Sequence, residues 1–235
     1  MMPRVRQPEL MDDPGLDPAR HRQALRGLAR LNALSRADAP LWREVRAITR
    51  GSRHISILDV AIGSGEVSLG VVERARRDDV DVRLSGVDRS ETALGEARAA
   101  AARRGVPIDL VQRDVVRDGL GDLRADVIVC SLFLHHLDPA EVERVLAEMI
   151  RVAAVGVVVS DLRRSRGGYG VAALASRLMT RSPIVHADAL LSVRAAYTPE
   201  EFRAMAIRAG WTQPAVRNVW PWRMLLSCRT QGESR

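Results

Sequence analysis

Hydrophobic and polar positions along the chain follow two alternating rhythms. Short apolar, strand-like runs fall at about 55–60, 82–87, 108–112, 126–132 and 155–160, and the segments between most of them have helical character. The first rhythm suits strands covered on both faces and the second suits helices with one buried stripe. Together they predict βαβ units around a parallel sheet. The clearest helices are expected over 66–77 and over "SETALGEARAAAARR", which opens at Ser90 as an N-cap. Right-handed crossovers between parallel strands then give a doubly wound topology.

The flanks follow other rules. From 18 to 50, Leu25, Leu28, Leu31 and Leu34 keep a helical spacing, and Pro40 breaks it before a second helix. Residues 161–197 lack a strand-like run; a helix over 169–181 and a break at Pro183 make this stretch an insertion over the carboxyl edge of the sheet. "TPEEF" at 198–202 combines Thr198 as N-cap, Pro199 in the first turn and Glu201 placed for a capping box, so a helix restarts there. "AVRNVWPWRMLLSC" then predicts two short strands around Pro221, an antiparallel hairpin closing the sheet. The expected organisation is one α/β domain over 1–235: a helical cap at 1–50, a core at 55–160, a lid at 161–197, and a final helix and hairpin at 198–228.

Composition narrows the setting. With 46% hydrophobic and 28% charged residues in 235, this is the make-up of an ordinary globular domain with a sizeable core. The longest apolar run, at 152–159, is far short of the roughly 18 residues a membrane span needs, and the opening segment has no long apolar stretch of a secretory signal. A cytoplasmic protein is expected. Cys130 and Cys228 lie in apolar runs without CxxC spacing, which makes them core residues. All 36 basic residues are arginine, so Schiff-base chemistry and Walker-type phosphate binding, which need lysine, are excluded. The net charge of +7 is spread along the whole chain and gives no support to a nucleic-acid partner.

Chemistry enters at "ILDVAIGSGE", residues 57–66, where a strand runs into Asp59 and then into small residues at Ala61, Gly63 and Gly65. A dinucleotide fingerprint would need glycine at 68, where the residue is Ser68, and an acid ahead of the turn would repel a pyrophosphate. A cationic or zwitterionic nucleoside fits better. The next two runs also end in acids, "LSGVDRS" at Asp88 and "LVQRDVV" at Asp114, and the fourth leads into "SLFLHHLD".

These motifs resemble class I S-adenosylmethionine-dependent methyltransferases, in the manner of bacterial enzymes acting on quinone precursors or phenolic polyketides. The likeness covers about 55–165, with Ala61 in place of the first glycine of the family's turn. It implies a Rossmann-like seven-stranded sheet, mostly parallel with a C-terminal antiparallel hairpin, and S-adenosylmethionine as cofactor. Its implied binding residues are Asp59, Ala61, Gly63, Gly65, Asp88, Arg89, Asp114, Val115 and Ser131, with Asp88 taking the ribose hydroxyls and Asp114 the adenine amino group.

For catalysis, His135 and His136 follow the fourth strand at the carboxyl edge, where open α/β sheets bind ligands. Strand alternation would aim only one of them at the donor methyl, and His136 is preferred over His135. Asp161, at the end of the fifth run, could orient a histidine or a substrate hydroxyl. His186 belongs to the lid, where a solvated loop histidine is the plainer reading. Ser131, Ser160 and Asp161 supply too few hard oxygen ligands for magnesium, so no metal is expected. The motifs of nucleic-acid methyltransferases, a proline-aromatic loop, a Pro-Cys nucleophile or a catalytic lysine, are missing, which leaves a small-molecule acceptor. O-methylation of a phenolic or polyketide-like compound is the expected reaction. C-methylation of an aromatic ring, a nicotinamide-dependent oxidoreductase and a non-catalytic cofactor-binding module stay open beside it. Tyr169, Leu174, Leu178, Met179 and Tyr197 are the expected apolar wall of the acceptor pocket. The oligomeric state is open, a homodimer included.

Overall fold

The computed structural model describes residues 2–7, 17, 22–23, 27, 36–179 and 183–230, and of 175, 178, 179, 183 and 184 only the backbone. The helix expected through Leu25, Leu28, Leu31 and Leu34 lies outside the described residues. Helix α1 (Asp38–Ile48) precedes strand β1 (His54–Val60), and Pro40 sits in its first turn, where a missing N–H costs nothing. Then α2 (Glu66–Arg77), β2 (Asp81–Asp88), α3 (Glu91–Arg103), β3 (Ile108–Gln112), a short α4 (Val115–Asp118) and β4 (Ala125–Ser131) follow in alternation. A 3-10 turn (Leu134–His136), α5 (Pro139–Val152) and β5 (Ala153–Leu162) complete the parallel part.

Two helices, α6 (Arg166–Met179) and α7 (Pro183–Ala195), occupy the lid, where a single helix was expected. The difference arises because Pro183 begins α7 instead of merely ending its predecessor, a position that suits its fixed φ. Helix α8 (Pro199–Arg208) carries the expected capping box: Thr198 Oγ1 accepts from the Glu201 amide at 3.2 Å, and Glu201 Oε2 accepts from the Thr198 amide at 2.9 Å. Strands β6 (Ala215–Val219) and β7 (Arg223–Arg229) form the hairpin, joined through a cis Trp220–Pro221 bond.

The seven strands lie in the order β3-β2-β1-β4-β5-β7-β6, with β7 antiparallel to β5 and to β6. Strand β4 is apolar at nearly every position because both of its faces are covered. One face packs against α5 and α8 through Ile128, Cys130, Val157, Val159, Val145, Leu146 and Phe202, and the other packs against α1 and α2 through Val127, Val129, Leu41, Leu69 and Val72. Helix α5 shows how sequence sets this layer. Pro139 and a capping box between Asp138 and Glu141 start it, and Val142, Val145, Leu146, Met149 and Val152 form one buried stripe. Each such side chain contributes roughly 2 kcal/mol of burial. Cys130 and Cys228 are both free and buried, as expected of core residues. Among the described residues, no helix is long and apolar enough to cross a membrane.

Candidate active site at the carboxyl edge

Parallel strands β2, β1 and β4 end side by side, and the residues just beyond them build the site. After Val60 the chain turns through Ala61, Gly63 and Gly65 with φ of +57°, +57° and +73°. Glycine reaches this left-handed region without cost, whereas Ala61 bears a strain of about 1 kcal/mol. A side chain on Gly63 would meet nothing within 4 Å, so the turn presents bare backbone to open space. Gly65 is the N-cap of α2 and has no side chain to cover the helix's first amides. The turn is seated on β2, where Ile62 lies so close to Gly86 that a Cβ there would stand 2.5 Å from Ile62 Cδ1. This explains the glycine in "LSGVD".

Asp59 is 2% exposed at the end of β1 and faces α2, from which Ser68 donates to Asp59 Oδ2 at 2.6 Å. The residue that a dinucleotide fingerprint would make glycine is therefore the partner of the strand-end acid. Asp59 Oδ1 has no partner among the described residues, and neither has the buried Ser131 Oγ at the end of β4. Burial drives the Asp59 carboxyl up to about 7, against the Ser68 hydrogen bond and with some help from the Asp88 charge.

Asp88 ends β2 half-buried and links three segments. Its Oδ2 accepts from the Gly63 amide at 2.8 Å and its Oδ1 from the Ser90 amide at 2.9 Å. Burial raises its pKa, although the amides of Ser90 and Gly63 act the other way. Each oxygen retains a second lone pair, which is what two vicinal hydroxyls would use. Asp114 caps α4, its Oδ1 accepting from the Val116 amide at 3.0 Å, and the adjoining Val115 is buried. Arg89 is exposed, and its carbonyl accepts from Gln112. Of the cofactor residues expected from sequence, Asp59, Ala61, Gly63, Gly65 and Asp88 are thus gathered around one turn, Asp114 and Val115 follow β3, and Ser131 ends β4.

The histidines are placed differently from expectation. Strand β4 ends at Ser131, Leu132 takes φ +57°, and His135 and His136 lie in the 3-10 turn. Strand alternation does not govern them; their ring centroids are 4.1 Å apart at an interplanar angle of 33°. His135 is 2% exposed, with Nδ1 2.6 Å from Asp161 Oδ1, and its amide donates to Asp161 Oδ2 at 3.2 Å. Burial alone would raise the Asp161 carboxyl, but the His135 charge and hydrogen bond hold it below the usual range. An ionised carboxylate only accepts, so His135 Nδ1 carries the proton in this pair. His136 is less buried.

The apolar wall is only partly formed as expected. Leu174 is 62% exposed, while Tyr197 is buried in the core, stacked on Phe202 and donating from its hydroxyl to the Leu137 carbonyl at 2.7 Å. Tyr169 is half-buried, and the side chains of Leu178 and Met179 lie outside the description. Sequence reasoning also missed Arg4, which bonds to the His135 and Leu137 carbonyls at 3.2 and 2.8 Å. No local pattern could have marked an arginine that acts 131 residues away.

Known proteins share this fold and part of this sequence. A methyltransferase domain family matches residues 57–156, a little under half of the chain and the part that holds the glycine turn, Asp59, Asp88, Asp114 and the histidine pair. A probable methyltransferase of Aspergillus luteorubrus is 30% identical over 112 residues, 44% of this chain and 38% of that protein. The chain thus spans well under two thirds of that curated relative. An S-adenosylmethionine-dependent methyltransferase of Aquifex aeolicus superposes with a TM-score of 0.61 at 16% identity, covering 91% of this chain and 98% of that one. Magnesium protoporphyrin IX methyltransferase of Synechocystis, solved with S-adenosylhomocysteine, gives 0.58 at 15% identity over 94% and 91% of the two chains. At these identities the structures establish the shared fold.

Proposed function

We propose, from the premise that residues 57–156 are a class I methyltransferase domain, that this chain transfers a methyl group from S-adenosylmethionine to the oxygen of a small phenolic or polyketide-like acceptor. The observation that carries the finer reading is the buried Asp161–His135 pair packed against His136, one strand away from the Asp59 and Gly63 turn. When bound, S-adenosylmethionine supplies an electrophilic methyl on a sulfonium; the chain's own residues do the rest.

Asp88 and Asp114 would grip the sugar and base, the bare Gly63 backbone would lie against the ligand, and the unpartnered Asp59 and Ser131 oxygens fit its polar amino-acid end. Asp161 fixes His135 through two hydrogen bonds, and the His135 ring fixes its neighbour. His136 would take the acceptor's hydroxyl proton while that oxygen bonds the methyl carbon and the carbon–sulfur bond breaks, its electron pair staying on the leaving sulfur. A phenol has a pKa near 10, so a positioned imidazole is worth about 10²-fold or more in rate. Water exclusion falls to the lid.

Thermal-shift screening tests the cofactor, since a ligand bound only by the folded form raises the melting point. S-adenosylmethionine and S-adenosylhomocysteine should raise it and nicotinamide dinucleotides should not. With an acceptor found from a phenol panel, His136→Ala should lower kcat about 10²-fold with cofactor affinity unchanged, and Asp161→Asn should do so through disorder of His135. Wild-type rates for His136→Ala between pH 6 and 9 would remove histidine from the reaction and favour C-methylation of an activated ring.

A further inference from the structure

The segment 2–7 crosses the carboxyl edge and makes a concentrated set of contacts there. Arg4 Nε donates to the Ala195 carbonyl at 2.7 Å, and its terminal nitrogen donates to the carbonyls of His135 and Leu137. The guanidinium also lies 4.1 Å from the centre of the Tyr197 ring, whose hydroxyl donates to the same Leu137 carbonyl. The Val5 amide donates to the Arg194 carbonyl at 3.0 Å, and Arg6 pairs with Asp138 at 2.6 Å. One short stretch therefore touches the end of α7, the histidine turn and the start of α5.

Each contact has a physical reason. The last carbonyls of α7 have no partner within the helix, and a cation at a helix C-terminus is favoured by its dipole. The 3-10 turn closes only short-range bonds of its own, His136 to Phe133 and Leu137 to Leu134, so its remaining carbonyls need donors from elsewhere. A planar guanidinium serves three carbonyls and an aromatic face at once, which a lysine ammonium cannot do. Tyr197 contributes to the same junction, and burial pushes its hydroxyl up to about 12, so it remains a donor to Leu137.

We propose that Arg4 is a positioning residue: it straps lid helix α7 to the histidine turn and so sets the aim of His136 at the acceptor. This rests on the reading of His136 as the base. Opening the strap frees α7 and the turn together, which makes acceptor entry and base alignment two results of one contact set.

Two measurements on the full chain test it. In Arg4→Met, hydrogen exchange followed by mass spectrometry should show peptides covering 134–138 and 190–197 losing protection about tenfold, with β1 and β4 unchanged. In turnover, Arg4→Met should lower kcat about tenfold and raise the acceptor KM, leave S-adenosylmethionine affinity by calorimetry within about twofold, and recover with added guanidinium; Arg4→Lys should fall between. Unchanged protection at both peptides, or protection lost equally across the sheet, overturns the strap. Unchanged kcat with protection lost also overturns the positioning role. The exchange readout needs neither cofactor nor acceptor, so a wild-type protein that binds no S-adenosylmethionine counts against the transfer reading and leaves the strap to be judged by exchange alone.

Discussion

Asp59 carries the clearest consequence at the scale of a single residue. It is 2% exposed, takes one hydroxyl donor, and titrates near 7 in the fold. An acid whose folded pKa lies above its unfolded value of about 3.9 binds an extra proton in the native state, so stability is greatest below the unfolded pKa and falls as pH rises toward 7. The loss for one such group reaches up to roughly 4 kcal/mol. Asp59→Asn removes it: relative to wild type the variant should gain stability in urea unfolding at pH 8 and gain little at pH 4. Equal differences at both pH values would show that Asp59 is ordinary in the fold. Asp88 is the other informative residue. The resemblance read from the sequence implies a ligand role for it, and its bonds to Gly63 and Ser90 make it the clasp of the turn, so truncation to alanine would confound the two roles.

Elements were legible where burial and caps dictate them. Strands covered on both faces must be largely apolar, and that is why the runs around 55–60 and 126–132 coincide with β1 and β4 almost to the residue. Ser90 and Thr198 were legible because N-caps are short-range chemistry, and both side chains accept the expected amides. Thr198→Ala should destabilise the chain by about 1 to 2 kcal/mol in chemical unfolding, toward the upper value because Thr198 is buried. A loss of only a few tenths would mean that the box is idle. The histidines follow the fourth strand as expected, but strand alternation was extended to them for an equally physical reason: "SLFLHHL" stays apolar beyond Ser131, and the left-handed kink at Leu132 leaves no mark in hydrophobicity. The start of α6 was missed because Gly167, Gly168 and Gly170 are poor helix formers; the first two lie against Trp222, where a Cβ would stand 2.8 Å from the indole nitrogen at Gly167 and 3.1 Å from Trp222 Cβ at Gly168.

For the whole molecule, the sheet order places the ends of β1, β2 and β4 together, and with them the glycine turn, Asp88 and the histidine pair. The half expected to hold the cofactor was readable because each of its residues lies at the end of a strand or in the loop just beyond one. The acceptor half was not, because its geometry depends on contacts between residues 2–7, the lid and the turn that are remote in sequence. Titration calorimetry with S-adenosylmethionine is the most direct test, comparing wild type with Asp88→Asn, which keeps one acceptor oxygen for the turn. Saturable 1:1 binding by wild type, weakened about tenfold or more in a variant that is still fully folded at the assay temperature, is the predicted result. No binding heat from wild type, or the same affinity in both proteins, would contradict the claim that this edge holds a sulfonium nucleoside.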